Sequence, residues 1–317
     1  MSEINLTKKK KNTVIPYFTQ FMQSFPDVTS LAAASEDNVL HHWSGLGYYS
    51  RARNLHAAAR QVVDQFNGEF PAEVEQLLSL PGIGRSPAGA IAAIAFEQPT
   101  AILDGNVKRV LARHFAVDGW PGKSAVAKQL WHHAEQCTPL ERNRDYTQAI
   151  MDLGATLCTR NKPRCDDCPV NASCVALAEQ RIAALPGKKP KKILPQRSAH
   201  LLLIENAEGH ILLQKNPPSG IWGGLWCLPE ASQINPAMQW QAQQTWPTLR
   251  HSFSHYHLDI TPLHCKLLQF AGTMDCTAQL WYNVNQPANV GLAAPIAKLL
   301  QQYAQRKSKA LNPLDTV

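Results

Sequence analysis

The chain has 317 residues with 44% hydrophobic content, which is enough for about two globular domains with separate cores. The formal net charge of +7 favours a polyanionic partner. No segment has the roughly 20 apolar residues of a membrane span, and no apolar stretch follows the lysines at residues 8–11 as in a signal peptide. Eight cysteines without a secretory signal argue against a disulfide framework and favour a cytoplasmic protein.

The first part of the chain, residues 14–180, predicts helices. Gly, Pro and polar residues separate these helices, and the Ala-rich residues 51–63 suit close helix packing. The predicted breaks fall at residues 45–47, 67–68, 81–84, 121–122 and 138–139.

A tight corner is predicted at Leu80-Pro81-Gly82-Ile83-Gly84. Residues 71–78 predict a helix with a proline in its first turn, and residues 86–96 predict a second helix. Glycine tolerates the positive φ that such a reversal needs. The amides of Gly82, Gly84 and the next helix start can then point at one phosphate oxygen. This pattern predicts a helix-hairpin-helix that binds a nucleic-acid backbone without reading sequence, the alternative being an ordinary helix corner.

Four cysteines follow one another with the spacing C-x6-C-x2-C-x5-C, and they are Cys158, Cys165, Cys168 and Cys174. Four thiolates on one short loop indicate a metal centre. Zinc usually takes two C-x2-C pairs, whereas a [4Fe-4S] cluster accepts varied spacing, so the pattern favours the cluster. Zinc and unrelated free cysteines remain the alternatives. The loop also contains cations that suit a phosphate backbone, Arg160, Lys162 and Arg164. The other cysteines have no ligand spacing and are expected to be packing residues.

The composition changes at residues 184–197, which hold three prolines, five cations and no acidic residue. This segment predicts a basic interdomain linker, either extended along DNA or simply solvated. Beyond it, residues 201–205 and 210–214 flank a short turn and predict a β-hairpin. Residues 256–270 contain further strand-like runs, and residues 295–305 predict a closing amphipathic helix. These elements indicate a smaller α+β domain.

Several stretches together resemble the MutY family of adenine-specific DNA glycosylases, which belongs to the helix-hairpin-helix superfamily shared with endonuclease III. The resemblance extends from about Thr13 to near the C-terminus. It rests on the cysteine loop and on Gly45-Leu46-Gly47-Tyr48-Tyr49, Leu80 to Arg85, Ile102 to Val110, Met151-Asp152-Leu153-Gly154 and Phe253-Ser254-His255.

The resemblance implies a mainly α helix-hairpin-helix catalytic domain over residues 1–183, with a [4Fe-4S] loop at residues 158–174. It implies a linker at 184–197 and an α+β Nudix-like lesion-recognition domain at 198–317. The implied activity is hydrolysis of the N-glycosidic bond of adenine mispaired with 8-oxoguanine or guanine. The implied partner is double-stranded DNA, bound by a monomer with one cluster per chain. A cytoplasmic, nucleoid-associated enzyme without membrane contact is therefore expected.

Cleavage of an N-glycosidic bond leaves a cationic sugar and a poor leaving group, so two carboxylates suit it. The resemblance assigns protonation of adenine to Glu3 and stabilisation of the sugar cation to Asp104, with Asn106 nearby. Asp104 begins a helix, where an aspartate is most often an N-cap, so the residues alone favour the structural role. Lys108 is expected to contact phosphate or polarise the site.

The remaining implied roles concern DNA binding. The resemblance makes Tyr48 the wedge that enters the duplex when adenine leaves the stack, the alternative being a packed core aromatic. Ser86 occupies the position of the lysine in the lyase relatives, and a hydroxyl cannot form a Schiff base, so a monofunctional hydrolase that contacts DNA through Ser86 is expected. Phe253, Ser254 and His255 would sense the oxidised guanine, the alternative being that Phe253, His255 and His257 merely alternate along a strand.

The N-terminus departs from the family pattern. Glu3 aligns with the general acid, but residues 7–12 do not match, and the pattern resumes at residues 13–17. This break predicts an N-terminally truncated, locally frame-disrupted member of the family. Two alternative functions remain open: a catalytically impaired DNA-binding member of the family, and an endonuclease III-like glycosylase/lyase.

The C-terminal domain lacks a Glu-rich Nudix box and is not expected to hydrolyse nucleotides.

Overall fold

The computed structural model describes residues 11–190, 193–275 and 277–311, so Glu3 lies outside the described residues. Two compact units divide the chain. We call Met1–Val63 with Ile193–Val317 the mixed unit, and Asp64–Lys192 the helical unit, in each case within the described residues. No described helix is both long and apolar enough to cross a membrane.

The mixed unit opens with the helices α1 Lys11–Ser24, α2 Val28–Ala33, α3 Glu36–His42 and α4 Ser50–Phe66. Side-chain caps determine where the short helices begin. The Asp27 carboxylate accepts a hydrogen bond from the Ser30 amide at 2.7 Å and forms a capping box at the start of α2. The Ser35 hydroxyl accepts from the Asn38 amide at 3.2 Å at the start of α3.

The helical unit contains α5 Val74–Ser79, α6 Arg85–Phe96, α7 Gly105–His114, α8 Ser124–Cys137, α9 Asn143–Asp152 and α10 Val175–Ala178. A π-helical turn at Leu153–Leu157 precedes the cysteine loop, and a 3-10 turn at Asn171–Ser173 lies within it. The core includes the buried Leu103, Leu111 and Leu130. The predicted helical region is confirmed, but its predicted helix over 71–78 is wrong at its start, because Glu73 is extended (ψ 134°) and α5 begins only at Val74.

One seven-stranded sheet forms the rest of the mixed unit, with the order β3-β2-β1-β6-β4. In addition, β5 pairs with β6 and β7 pairs with β2. The strands are β1 Gln196–Glu205, β2 Ile211–Lys215, β3 Trp226–Cys227, β4 Met238–Thr245, β5 Leu249–Ser252, β6 His257–Phe270 and β7 Gln279–Tyr282, and the helix α11 spans Ala294–Leu311. The predicted hairpin is confirmed, with Glu205 opposite Ile211. The predicted closing helix is confirmed as α11, and β1 runs parallel to β6.

The helices at the start of the chain share a core with this sheet. Leu40 and Trp43, both fully buried, belong to the same cluster as Leu203 of β1 and Trp226 of β3. Polar contacts also connect α3 to the sheet, because the Asp37 carboxylate accepts a hydrogen bond from the Trp226 indole at 3.1 Å and pairs with the Lys215 ammonium at 2.9 Å. The α3 and α4 region is therefore packed as part of the mixed unit.

Candidate functional site

The predicted corner lies between α5 and α6. Gly82 has φ +81°, which favours glycine, whereas Gly84 is extended at φ −91° and ψ 179° and precedes α6. The positive φ predicted for this turn is thus required at Gly82 alone. Leu80 and Ile83 are buried and anchor the turn. No side chain caps α6, and a Cβ at Gly84 would meet nothing within 4 Å, so the first-turn amides can donate hydrogen bonds to an anion at close approach.

Ser86 and Asp104 are connected through one short segment. The Ser86 hydroxyl accepts a hydrogen bond from the Leu103 amide at 2.9 Å, which ties α6 to the residue before Asp104. Asp104 is the N-cap of α7, and its Oδ1 accepts from the Val107 amide at 2.7 Å. The N-cap role expected from the residues is therefore present, and it holds a half-exposed carboxylate in one orientation.

Arg109 connects Asn106 to the cysteine loop. Its guanidinium donates to Asn106 Oδ1 at 2.9 Å, to the Gly154 carbonyl at 2.6 Å and to the Cys158 carbonyl at 2.7 Å. A Cβ at Gly154 would lie 2.7 Å from Asn106 Cβ, so only glycine permits this close approach. Burial lowers the pKa of Arg109. Asn106 is held by this network.

Arg113, one turn further along α7, is almost fully buried, with 3% exposure. It donates to the carbonyls of Leu185 at 2.9 Å, Thr159 at 2.8 Å and Arg160 at 3.3 Å. It also lies 3.4 Å from Cys158 Sγ. The sequence did not predict these anchoring roles for Arg109 and Arg113, although their i, i+4 spacing places both on one face of α7.

The four loop cysteines are half-buried free thiols. Burial raises the pKa of Cys165, and proximity to Cys158, Cys174 and Cys168 raises it further, so the four sulfurs lie within electrostatic range of one another. Within the described residues, no three potential ligands converge as they would around a single metal ion.

Two cysteines outside the loop, Cys227 and Cys265, behave as the sequence predicts. Cys227 and Cys265 are buried in the cores of the mixed unit. Burial raises the pKa of Cys227 to about 12 and that of Cys265 to about 11. Both therefore stay protonated and act as packing residues.

A cavity of about 980 Å³ lies beside α7 in the helical unit. We call it the basic groove, because the described residues that line it include no acidic side chain and several cations, namely Lys108, Arg160, Lys162, Lys188 and Lys189. Trp120 also lines the groove, and the Lys189 ammonium lies 5.7 Å from its ring centroid. Such a lining suits a phosphate backbone.

Tyr48 lies in the turn between α3 and α4. The residue is 50% exposed, so the alternative of a packed core aromatic is wrong. Its φ of +53° is unusual for an aromatic residue, and Gly45 and Gly47 on the same turn are also left-handed. The Arg51 guanidinium lies 5.6 Å from the Tyr48 ring centroid and donates to the Gly47 carbonyl at 3.3 Å.

Phe253, Ser254 and His255 form the reversal between β5 and β6. The Phe253 amide donates to the Tyr256 carbonyl at 2.9 Å, which leaves Ser254 and His255 exposed at a two-residue tip. The alternative of a continuous alternating strand is wrong, because the chain reverses here. Phe253 packs against Tyr256 with their ring centroids 4.8 Å apart.

A cavity of about 810 Å³ in the mixed unit brings this tip and Tyr48 together. We call it the aromatic cavity, since its lining includes Tyr48, Trp222, Phe253, His255 and Tyr256. Two motifs that lie far apart in the sequence thus share one cavity. Sequence reasoning missed Trp222, although Gly-Ile-Trp-Gly-Gly at residues 220–224 was a visible signal for a special turn.

Comparison with known proteins agrees with this architecture. Residues 1–136 match the family described as HhH-GPD superfamily base excision DNA repair protein. Residues 200–302 match the NUDIX domain family. The α5–α6 corner lies in the first match, and most of the sheet lies in the second. The fold and site therefore define a helix-hairpin-helix DNA glycosylase joined to a NUDIX domain.

The chain is 35% identical over 312 residues to the adenine DNA glycosylase of Buchnera aphidicola subsp. Acyrthosiphon pisum (strain APS), covering 96% of this chain and 89% of that protein. It is 32% identical over 368 residues to the adenine DNA glycosylase of Mus musculus, covering 97% of this chain and 71% of that protein. The chain belongs to the adenine DNA glycosylase family. A solved thermostable thymine-DNA glycosylase shares 26% identity with a TM-score of 0.50, over 56% of this chain and 82% of its own. The predicted family and fold class are confirmed.

Proposed function

We propose that this chain hydrolyses the N-glycosidic bond of adenine paired with 8-oxoguanine or guanine in double-stranded DNA, without cleaving the strand. One observation carries the proposal: a capped, half-exposed Asp104 carboxylate is tied through Leu103 and Ser86 to the α6 corner. A phosphate held at the α6 amides would place the neighbouring nucleotide near Asp104. Family membership supports the same activity.

The reaction breaks the bond between the sugar C1′ and adenine N9, and the electron pair leaves with adenine. Asp104 would stabilise the resulting sugar cation, and water would then add to C1′ and lose one proton, which balances the proton taken up by adenine. The leaving adenine must take up a proton, and we assign its donor to Glu3, which lies outside the described residues. Asn106, held by Arg109, would orient groups beside Asp104.

We assign DNA-backbone binding to the α6 corner and the basic groove. The amides near Gly82 and Gly84 would hold one phosphate, with Ser86 beside them. Lys108 would contact phosphate from the basic groove. Binding that rests on phosphate contacts must weaken steeply as salt is raised. We propose that the chain binds DNA as a monomer.

We propose that Cys158, Cys165, Cys168 and Cys174 hold one [4Fe-4S] cluster. The fit rests on four free thiols within electrostatic range and on the guanidinium of Arg113 beside Cys158 Sγ, which would offset thiolate charge. Such a cluster would cross-link the loop at residues 158–174. Iron analysis and visible absorption of the purified chain test it, and Cys168→Ser should lower both readings.

We further propose that the aromatic cavity recognises the partner base. Ser254 and His255 carry the hydroxyl and ring donors that an oxidised guanine requires, and Phe253 offers a stacking surface. Tyr48 would occupy the gap left by the extruded adenine.

We propose that the chain is divided functionally into a catalytic domain at 1–183, a linker at 184–197 and a lesion-recognition domain at 198–317. In the structure, Gln196 and Arg197 already pair with β6 as part of β1.

A single-turnover assay tests the function. With a duplex containing adenine opposite 8-oxoguanine, we expect adenine release and abasic sites that break only after alkali. Borohydride should trap no covalent complex, because Ser86 has no amine. Trapping and immediate strand cleavage would indicate a glycosylase/lyase. Tight, salt-sensitive binding without base release would indicate a catalytically impaired DNA-binding protein.

A further inference from the structure

Trp222 has an unusual backbone conformation for its residue type. Its φ is +52°, in the left-handed region that bulky side chains rarely adopt. Tyr48 is the other aromatic residue of the described chain in this conformation, and both line the aromatic cavity. Backbone strain of this kind persists where the surroundings hold it, and it is enriched at functional sites.

The loop that carries Trp222 is held from several directions. The Asn216 amide side chain donates to the Ile221 carbonyl at 3.2 Å, and the Leu225 amide donates to the Trp222 carbonyl at 2.9 Å. The Arg53 guanidinium of α4 donates to the Gly223 carbonyl. Because Arg53 belongs to the helix that follows Tyr48, one side chain connects the two left-handed turns.

The Trp222 indole packs against the tip of the β5–β6 hairpin. Its ring centroid lies 5.6 Å from that of Phe253 and 5.7 Å from that of His251, both in tilted geometry. The His251 and Phe253 rings meet edge to face at 4.6 Å. These contacts buttress Phe253, which directly precedes the exposed Ser254 and His255.

We propose that Trp222 is a positioning residue for recognition of the partner base, an inference that rests on the function proposed above. Trp222 holds Phe253 and thereby fixes the Ser254–His255 tip at a set distance across the cavity from Tyr48. Polar readout of one altered atom on a guanine needs donors held in fixed geometry. A loosened tip would still meet DNA, but it would distinguish 8-oxoguanine from guanine less well.

The test measures binding rather than excision, so it does not depend on turnover. Fluorescence anisotropy gives Kd for two duplexes that carry a tetrahydrofuran abasic analogue opposite 8-oxoguanine or opposite guanine. Wild type, Trp222→Ala, Trp222→Phe and the matched control Trp240→Ala are compared. Trp240 is also half-buried in the mixed unit, but it packs against the other core cluster and does not line the cavity.

The measured quantity is the Kd for the guanine duplex divided by the Kd for the 8-oxoguanine duplex. We expect Trp222→Ala to lower this ratio by about tenfold, because aromatic contacts contribute free energies on this scale. Trp222→Phe should restore most of the ratio, and Trp240→Ala should leave it unchanged even where it lowers the melting temperature. An unchanged ratio in Trp222→Ala, or an equal loss in Trp240→Ala, overturns the role of Trp222. Equal binding of both duplexes by wild type would instead refute the proposed recognition of the partner base by the aromatic cavity, and the single-turnover assay would still test adenine excision independently.

Discussion

The helical unit and the mixed unit position their functional side chains by different physical means. In the helical unit, hydrogen bonds to the backbone hold Ser86, Asp104 and Arg113. In the mixed unit, ring packing and left-handed turns hold Tyr48 and Phe253. The two units therefore differ in what a single substitution removes.

This difference has a thermodynamic consequence. A buried carbonyl that loses its hydrogen-bond donor bears the full cost of desolvation, so a single substitution of the donor causes a large loss of stability. Aromatic packing is less directional, and a smaller ring recovers part of it. We expect steep effects of substitution in the helical unit and graded effects in the mixed unit.

The largest effect is expected for Asp104→Asn. Single-turnover adenine release should fall by at least about 10²-fold, because the substitution removes the charge that we propose to stabilise the sugar cation. The melting temperature should stay close to wild type, since asparagine caps a helix as well as aspartate does. Asp104→Ala is the control, and it should also lose about 1 kcal/mol of stability. An unchanged rate in Asp104→Asn would contradict the assignment.

Arg113→Met comes next. It should lower the free energy of unfolding by about 3 kcal/mol, because the buried Leu185 carbonyl and the part-buried carbonyls of Thr159 and Arg160 lose their donor together. Urea unfolding measures this change. Arg144→Met is the matched control, since Arg144 is exposed and pairs with Glu97 at the long distance of 3.9 Å, and it should change stability by less than about 0.5 kcal/mol. Equal losses in both variants would show that burial of Arg113 is energetically unimportant.

Tyr48→Asn separates stability from binding in the mixed unit. Asparagine tolerates the left-handed conformation, so the free energy of unfolding should stay within about 1 kcal/mol of wild type. Affinity for the 8-oxoguanine duplex with an abasic analogue should fall about tenfold, since stacking on a base is lost. Tyr48→Phe should retain this affinity. The wedge role fails if asparagine binds as tightly as tyrosine.

The smallest effect is expected for Tyr256→Phe. The Tyr256 hydroxyl is buried and has no hydrogen-bond partner within the described residues, and burial raises its pKa. Removal of an unsatisfied hydroxyl should leave stability unchanged or raise it by up to about 1 kcal/mol. Urea unfolding at pH 7 checks this expectation. A clear loss of stability would mean that the hydroxyl has a partner in solution.

The sequence predicted those features that are formed by residues close together in the chain. The glycine corner, the cysteine spacing, the β1–β2 hairpin and the family motifs are of this kind. A turn or a loop of ligands depends mainly on the conformations of the few residues that form it. The start of α5 was misplaced because helix boundaries depend on cap conformation, here at Glu73.

Tertiary structure alone decided the rest. The sequence did not reveal that Arg109 and Arg113 anchor the cysteine loop, that Trp222 supports Phe253, or that α3 shares a core with the sheet. Each of these contacts joins residues that are distant in the chain. Such pairs are selected by how whole elements pack, and no short sequence pattern encodes which surfaces meet.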